Sequence, residues 1–166
     1  KHMKRFLKNL GFSKVNGILA DLGVSSFQIN TPERGFSYRY DAILDMRMNK
    51  KNNNDAMKVV NEYSLEKLDK ILFEYGDLRN SKKISNQIFN ARSDKKIKTT
   101  FDLNRVLSAL FPERFLNKNL SKIYQAIRIE VNKELDVLKS FLELSSQLLV
   151  PGGRLCVISY HSLEDR

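Results

Sequence analysis

Gly17-Ile18-Leu19-Ala20-Asp21-Leu22-Gly23 is a short apolar run bounded by glycines and interrupted only by one carboxylate. A run of this length between turn formers predicts a buried strand ending on an acidic side chain. A second run, Arg154-Leu155-Cys156-Val157-Ile158-Ser159-Tyr160, follows Pro151-Gly152-Gly153 and leads into His161-Ser162. Two apolar strands joined through helices predict neighbouring parallel strands of an α/β sheet. Two strands alone leave faces and edges uncovered, so further strands are expected to belong to this sheet.

Working outward, Met3, Phe6, Leu7 and Leu10 recur at helical spacing, with Gly11 as a C-cap. From Val24 to Asn54 the signals are polar and turn-like, including Pro32, Gly35 and a cluster of asparagines. A loop that long inside a compact domain is functional or disordered. From Asp55 the pattern turns helical: Val59, Val60, Tyr63, Leu65, Leu68, Ile71, Leu72 and Tyr75 lead to Gly76. Ile84, Ile88 and Phe89 mark a second helix. Thr100, read as an N-cap with Asp102 in the first turn, opens a third that ends at Pro112. Ile123, Ile127, Val131, Leu135, Leu138, Leu142 and Leu149 predict a longer helix with a break near Asn132, stopped by Pro151-Gly152-Gly153.

The chain has 166 residues, enough for one domain or one domain with a modest insertion. Its formal charge of +10 and pI near 9.7 point to a polyanionic partner, with an anionic membrane or simple solubility as the other readings. Cys156 is the single cysteine, which excludes a disulfide framework and a cysteine-based zinc site. His2 and His161 are the only histidines and lie far apart in sequence, so no metal site is expected. The apolar runs are too short to cross a bilayer. The basic Lys1-His2-Met3-Lys4 is not followed by a signal-type apolar core. A cytoplasmic location follows as the expectation.

Ligands of open α/β sheets bind at the carboxyl ends of the strands. Asp21 and Tyr160-His161-Ser162 fall at such ends and should face one crevice. A capping or turn aspartate is the competing reading of Asp21, and Ser25-Ser26-Phe27-Gln28 adds hydroxyl and amide groups on the same side. The seven glycines form neither G-x-G-x-x-G nor a Walker A, and no G-x-S-x-G elbow exists. Kinase, NTPase and serine-hydrolase readings therefore have no support. Glu33-Arg34-Gly35-Phe36-Ser37-Tyr38-Arg39-Tyr40 mixes guanidinium groups with rings, which suits an unstacked base, or else is a surface loop with tucked-in aromatics. Lys82, Lys83, Arg92, Lys95 and Lys96, within the basic stretch 79–98, are either a phosphate-contacting set or a solvated helix face.

The residues then match something specific. Gly17 to Gln28, Pro32-Glu33-Arg34-Gly35-Phe36-Ser37, Leu44-Asp45-Met46-Arg47-Met48 and Glu74-Tyr75-Gly76 resemble, in order, motifs of the ribosomal RNA small-subunit methyltransferase H (MraW) family. Gln125 to Leu135 and Pro151-Gly152-Gly153-Arg154 through His161-Ser162-Leu163-Glu164-Asp165-Arg166 continue the match, which covers essentially the whole chain. The resemblance implies part of a class I, Rossmann-like S-adenosylmethionine-dependent methyltransferase sheet with an inserted all-helical domain. It implies a partial methyltransferase domain over 1–54 and 120–166, holding the family's fourth and fifth strands, and an inserted helical domain over 55–119. The implied activity is methylation of the exocyclic N4 of a cytosine in the decoding region of small-subunit ribosomal RNA. The implied cofactor is S-adenosylmethionine; the implied partner is that RNA within the 30S subunit, with a homodimer allowed and neither membrane nor metal involved. Asp21 and Gln28 match cofactor contacts. The family's glycine-rich loop, its ribose-binding acid and an aromatic adenine contact align before Lys1 and its last strands after Arg166, so weak or no binding of the cofactor by this stretch alone is expected.

Cytosine N4 is a poor nucleophile because its lone pair is delocalised into the ring. Alignment with the methyl donor and acceptors for the amine protons would help, after the base leaves its stack. The expected catalytic groups are Asp21, Asp45 and His161, with Asp45 and Arg47 as a structural pair the alternative. Phe36 or Tyr160 would stack on the base. Ser25, Ser26, Arg34, Arg47, Arg128, Asn132 and Ser162 complete the expected RNA contacts. The competing function is a non-catalytic RNA-binding or assembly module. A DNA amino-methyltransferase would share the chemistry but leaves the Glu33–Ser37 and His161–Arg166 motifs unexplained.

Overall fold

A computed structural model describes residues 2–165. In chain order these form α1 (Met3–Asn9), β1 (Val15–Asp21), α2 (Ser26–Asn30), a 3-10 turn (Pro32–Arg34), α3 (Ala56–Glu62), α4 (Leu65–Gly76) and α5 (Ser81–Asp94). They continue as α6 (Thr100–Ser108), α7 (Glu113–Asn132), α8 (Glu134–Leu148), β2 (Leu149–Ile158) and α9 (Ser162–Asp165). The protein is α/β with a small parallel two-stranded sheet, and it divides into two compact units, residues 2–24 with 133–165 and residues 25–132.

In the strand unit, β1 and β2 run parallel, with Ile18 opposite Leu155 and Asp21 opposite Ile158. The ladder slips between Val15 and Gly17, where Val15 faces Leu149 and Gly17 already faces Arg154. That irregularity absorbs Pro151-Gly152-Gly153 within β2. The strand thus starts at the helix end, not after the glycines as expected. The strands are also less covered than a buried pair: neither contains a buried residue, and Leu19 is 70% exposed. Among the described residues each strand has only the other as a hydrogen-bonded neighbour, and α8 packs against β2.

The helical unit has its own core. On α7, Leu120, Ile123, Tyr124, Ile127 and Val131 are all buried, following the i, i+3, i+4, i+7 stripe of an amphipathic helix. They pack chiefly on Leu68, Ile71 and Leu72 of α4. Burying each such side chain contributes about 1.5–3 kcal/mol. At Gly76 the end of α4 lies close to α7: a Cβ there would lie 3.2 Å from the Lys122 carbonyl oxygen and 2.9 Å from Leu78 Cδ1.

Capping explains where the helices begin. The side chain of Asp55 accepts from the Lys58 N–H, and that of Ser64 from Lys67, which splits the expected single helix into α3 and α4. The cap of α6 is Thr99, one residue before the expected Thr100, in a reciprocal box with Asp102. This helix ends at Ser108, well before Pro112, and Pro112 instead precedes α7. The expected break near Asn132 falls at Lys133, which takes the left-handed conformation at φ 52°.

The compact units depart from the expected boundaries. Residues 25–54 and 120–132 belong to the helical unit, not with the strands. The cause is burial: Leu44, Met46, Ile123 and Ile127 are among the most deeply buried side chains of that core. The expected long loop is consequently ordered by short helices and backbone bonds rather than free.

Candidate functional site

In the strand unit, parallel pairing sets Asp21 opposite Ile158, so β1 and β2 end side by side. Just past those ends the Tyr160 hydroxyl donates to Asp21 Oδ1 at 2.9 Å. Both side chains are exposed, Tyr160 by 68%. The hydrogen bond to Asp21, reinforced by its negative charge, pushes the Tyr160 hydroxyl above its ordinary pKa, so it stays a donor at neutral pH. Gly23 follows at φ +85°, and a Cβ there would lie 3.4 Å from the Tyr160 ring. The left-handed backbone at Gly23, rather than lack of space, is what favours glycine where the chain leaves β1 beside the Tyr160 ring.

His161 and Ser162 follow Tyr160. The Glu164 carboxylate accepts from the Tyr160 backbone N–H at 3.0 Å and lies 3.2 Å from His161 Nε2. That last contact is close but not aligned as a hydrogen bond, and neither ring nitrogen of the largely buried His161 makes one. Glu134, at the start of α8, brings a third ligand-type atom within 4.8 Å of those of His161 and Glu164. Glu134 and Glu164 were not singled out from the sequence. The His-x-x-Glu spacing on a short helical turn was the available signal for Glu164; Glu134 is distant in sequence and had none.

In the helical unit, the remaining expected residues are largely employed in holding a loop. Both Asp45 oxygens are engaged by Arg47, with Nε at 2.6 Å from Oδ1 and Nη2 at 3.1 Å from Oδ2, and the Arg47 N–H also donates to Oδ1. Arg47 Nη1 reaches the carbonyls of Lys50 and Asn52. Burial alone would raise the Asp45 carboxyl, but the Arg47 hydrogen bonds and the charges of Arg47 and Arg34 outweigh it and hold its pKa below the ordinary value. The bond to Asp45 likewise raises Arg47. Arg34 donates to the Arg47 carbonyl at 2.7 Å, and its guanidinium lies 5.6 Å from the Phe36 ring centroid.

Asn132 closes the arrangement. Its Oδ1 accepts from Met48 N–H at 2.7 Å, and its Nδ2 donates to the carbonyls of Met46 and Arg128. Gly35, at φ +65°, packs so closely that any Cβ would overlap the Ile43 carbonyl oxygen and the Asp45 nitrogen. Glu33 to Met48 is thus a braced loop anchored to the end of α7. Phe36, expected as a ring that stacks on the base, is instead buried with the Arg34 guanidinium over its ring. Gln28 forms a reciprocal capping box with Ser25, its Oε1 accepting from the Ser25 N–H at 2.9 Å. Ser25 and Ser26 are exposed at that helix start, while Arg128 is half-buried on α7.

The MraW methylase family model matches residues 1–166. "Ribosomal RNA small subunit methyltransferase H" of Flavobacterium johnsoniae is 56% identical over the whole chain, which covers 55% of that relative. The protein of the same name from Flavobacterium psychrophilum is 57% identical, again over the whole chain and 57% of the relative. That of Karelsulcia muelleri is 49% identical over the whole chain and 55% of the relative. The chain spans about half the length of the curated relatives it matches. With its full length matched and identity far above what fold likeness alone would leave, the chain belongs to the MraW methylase family.

Proposed function

We propose that this chain is part of a cytoplasmic S-adenosylmethionine-dependent methyltransferase that modifies the exocyclic N4 of a cytosine in small-subunit ribosomal RNA, in the decoding region of the 30S subunit. The observation that carries the reading is the Asp21–Tyr160 pair at adjacent, parallel strand ends in a chain matched from end to end by the family. Relatives of this sequence carry the name of a ribosomal RNA methyltransferase. The cytosine and its N4 are implied by the family resemblance. The strand pair is read as the fourth and fifth strands of a Rossmann-like sheet, and the helical unit as built around the family's insertion.

The residues present fit one polar end of the cofactor. An exposed carboxylate, a phenol and a bare glycine backbone stand together at the strand end. Asp21 would hold the cofactor there, and Gln28 is the second contact the family pattern assigns. When bound, S-adenosylmethionine supplies an electrophilic methyl group.

The chain's own residues do the rest. Asp21 keeps an oxygen that makes no hydrogen bond among the described residues, so it can accept from a donor brought to it. Tyr160 offers an open ring on which a base can stack, worth about 1–3 kcal/mol. His161, shielded from water beside Glu164, is the further candidate for accepting a proton from the amine. Asp45 belongs to the brace, because both of its oxygens are already engaged. Ser25, Ser26, Arg128 and Ser162 complete the proposed RNA contacts, while Arg34, Arg47 and Asn132 brace the 33–48 loop.

The test is methyl transfer to 30S subunits by the protein that carries this sequence, with the product nucleoside identified by mass spectrometry. N4-methylcytidine is expected, at a rate lowered by Asp21→Asn and Tyr160→Phe. Methylation at ring carbon or ribose oxygen would overturn the reading. The separate core of the helical unit also supports a second role, RNA binding without chemistry; RNA affinity retained by a protein unable to transfer methyl would favour it.

A further inference from the structure

An open cleft of about 650 Å³ lies wholly within the helical unit, between the Tyr38–Arg39 segment, α6 and the first turns of α7. Its walls include Tyr38, Arg39, Phe101, Asn104, Arg105 and Asn117. No carboxylate lines it, whereas two arginines do, both exposed. Phe101 leaves 43% of its surface open, and Leu116 and Leu120 add apolar surface beside it.

The floor is fixed by hydrogen bonds. Asn104 Nδ2 donates to the Tyr38 carbonyl at 2.9 Å, and the Tyr124 hydroxyl donates to Asn104 Oδ1 at 3.0 Å. Tyr38 packs edge-on to Tyr124 with ring centroids 5.7 Å apart. Thr100 ties the next residues down by donating to the Tyr40 carbonyl and accepting from the Ala42 N–H. The cleft is therefore preformed. By contrast its rim groups are unspent: Arg105 has only a loose 3.8 Å contact with Asp102, and Arg39 and Asn117 make no side-chain hydrogen bond among the described residues.

We propose that this cleft is a binding subsite for a nucleotide of single-stranded RNA, its base against Phe101 and Tyr38 and the flanking phosphates on Arg39 and Arg105. The volume is that of a small-ligand site. An open ring flanked by cations without acids is the combination that binds a stacked base and its phosphates. The occupant is an RNA strand because the chain carries +10 overall and the cleft is open, not closed around a small molecule. This inference rests on the RNA side of the proposed function and assigns it a position.

The experiment measures fluorescence anisotropy of a labelled short pyrimidine oligoribonucleotide against the full chain over a range of salt. Phe101→Ala should weaken binding about tenfold, the effect of losing one stacked base. Phe73→Ala, at an exposed phenylalanine on α4 outside the cleft, should leave it unchanged. Arg39→Gln with Arg105→Gln should lower the slope of log affinity against log salt by about 0.7 for each phosphate contact removed. Duplex RNA should bind without dependence on Phe101. If Phe101→Ala lowers helicity, Phe101→Leu keeps the apolar volume without the stacking face and reads the same comparison. Wild-type-like binding by both the phenylalanine and the arginine variants would overturn the cleft while leaving RNA binding intact. Cross-links from 4-thiouridine RNA confined to residues 79–98 would do the same. No binding by the wild-type chain at any salt would overturn the RNA reading itself.

Discussion

Replacing Asp45 with asparagine separates a brace from a reacting group. The carboxylate takes two hydrogen bonds from the Arg47 guanidinium, at 2.6 and 3.1 Å, and a third from its N–H. Asparagine keeps one acceptor oxygen, so the backbone bond and one guanidinium bond survive while the charge and the bidentate geometry are lost. Arg47 is not stranded, because the Lys50 and Asn52 carbonyls still hold Nη1. Exposed pairs contribute about 0–1 kcal/mol and breaking a fully buried one costs about 3–5 kcal/mol. With side chains 15% and 25% exposed, the pair lies between these limits. One lost hydrogen bond to a charged group costs about 1.5–3 kcal/mol. We expect about 2 kcal/mol.

Urea unfolding followed by far-ultraviolet circular dichroism reads this directly, since most helical residues are in that unit. With a slope of about 2 kcal/mol/M, the midpoint should fall by about 1 M at neutral pH without a change of slope. Arg47→Gln should cost a similar amount, and the double variant should fall short of additivity by about 1 kcal/mol. The pH dependence follows from the sign of the shift. Asp45 is depressed below 3.8 when folded, so its stabilisation is complete above the unfolded value and is lost as pH falls through the folded one. The gap between wild type and Asp45→Asn should thus hold from neutral pH to about pH 5 and close in strong acid. A midpoint unmoved by Asp45→Asn, with strict additivity in the double variant, would refute the brace and return Asp45 to the reacting groups.

Tyr160→Phe removes the hydroxyl that donates to Asp21 without disturbing a core, so thermal stability should hold while methyl transfer falls about tenfold, the worth of one such hydrogen bond. Tyrosine difference spectra should show the Tyr160 ionisation moving down toward its ordinary value in Asp21→Asn, since Asp21 is what raises it; an unchanged spectrum would count against the pair. Gly35→Ala must place a Cβ against the Ile43 carbonyl and Asp45 nitrogen in left-handed backbone, and should cost about 3 kcal/mol or more, seen as lost soluble protein or a much lower melting temperature. Ile127→Ala should cost about 2–5 kcal/mol by opening a cavity between α7 and its neighbours, measured by the same urea titration.

What could be read in advance divides along physical lines. Helical stripes and caps are local, so the starts of α3 and α6 were legible to within a residue, and the buried stripe of α7 was legible although its start was not. The parallel strands were legible because two apolar runs separated by helices have few other pairings. The split between α3 and α4 was missed because the Ser64 cap interrupts a continuous apolar spacing that periodicity alone cannot see. The order within 25–54 was missed for another reason: its bonds run from Met48 and Asn52 to the end of α7, contacts between residues remote in sequence that no local pattern encodes. At Phe36 the sequence left two readings open. Arginine beside aromatic in sequence is equally the composition of an open stacking platform and of a ring capped by its neighbour, and only the burial distinguishes them. Along one stretch the arginine and aromatic side chains divide between two places. Arg34 and Phe36 are consumed in bracing the loop, while Tyr38 and Arg39, on the same stretch, open into the cleft with Phe101. The two halves of the segment are held separately: Gly35 packs on Ile43 and Asp45, whereas Tyr38 is fixed by Asn104 and Tyr124, which is why a composition shared by both halves ends in different surroundings.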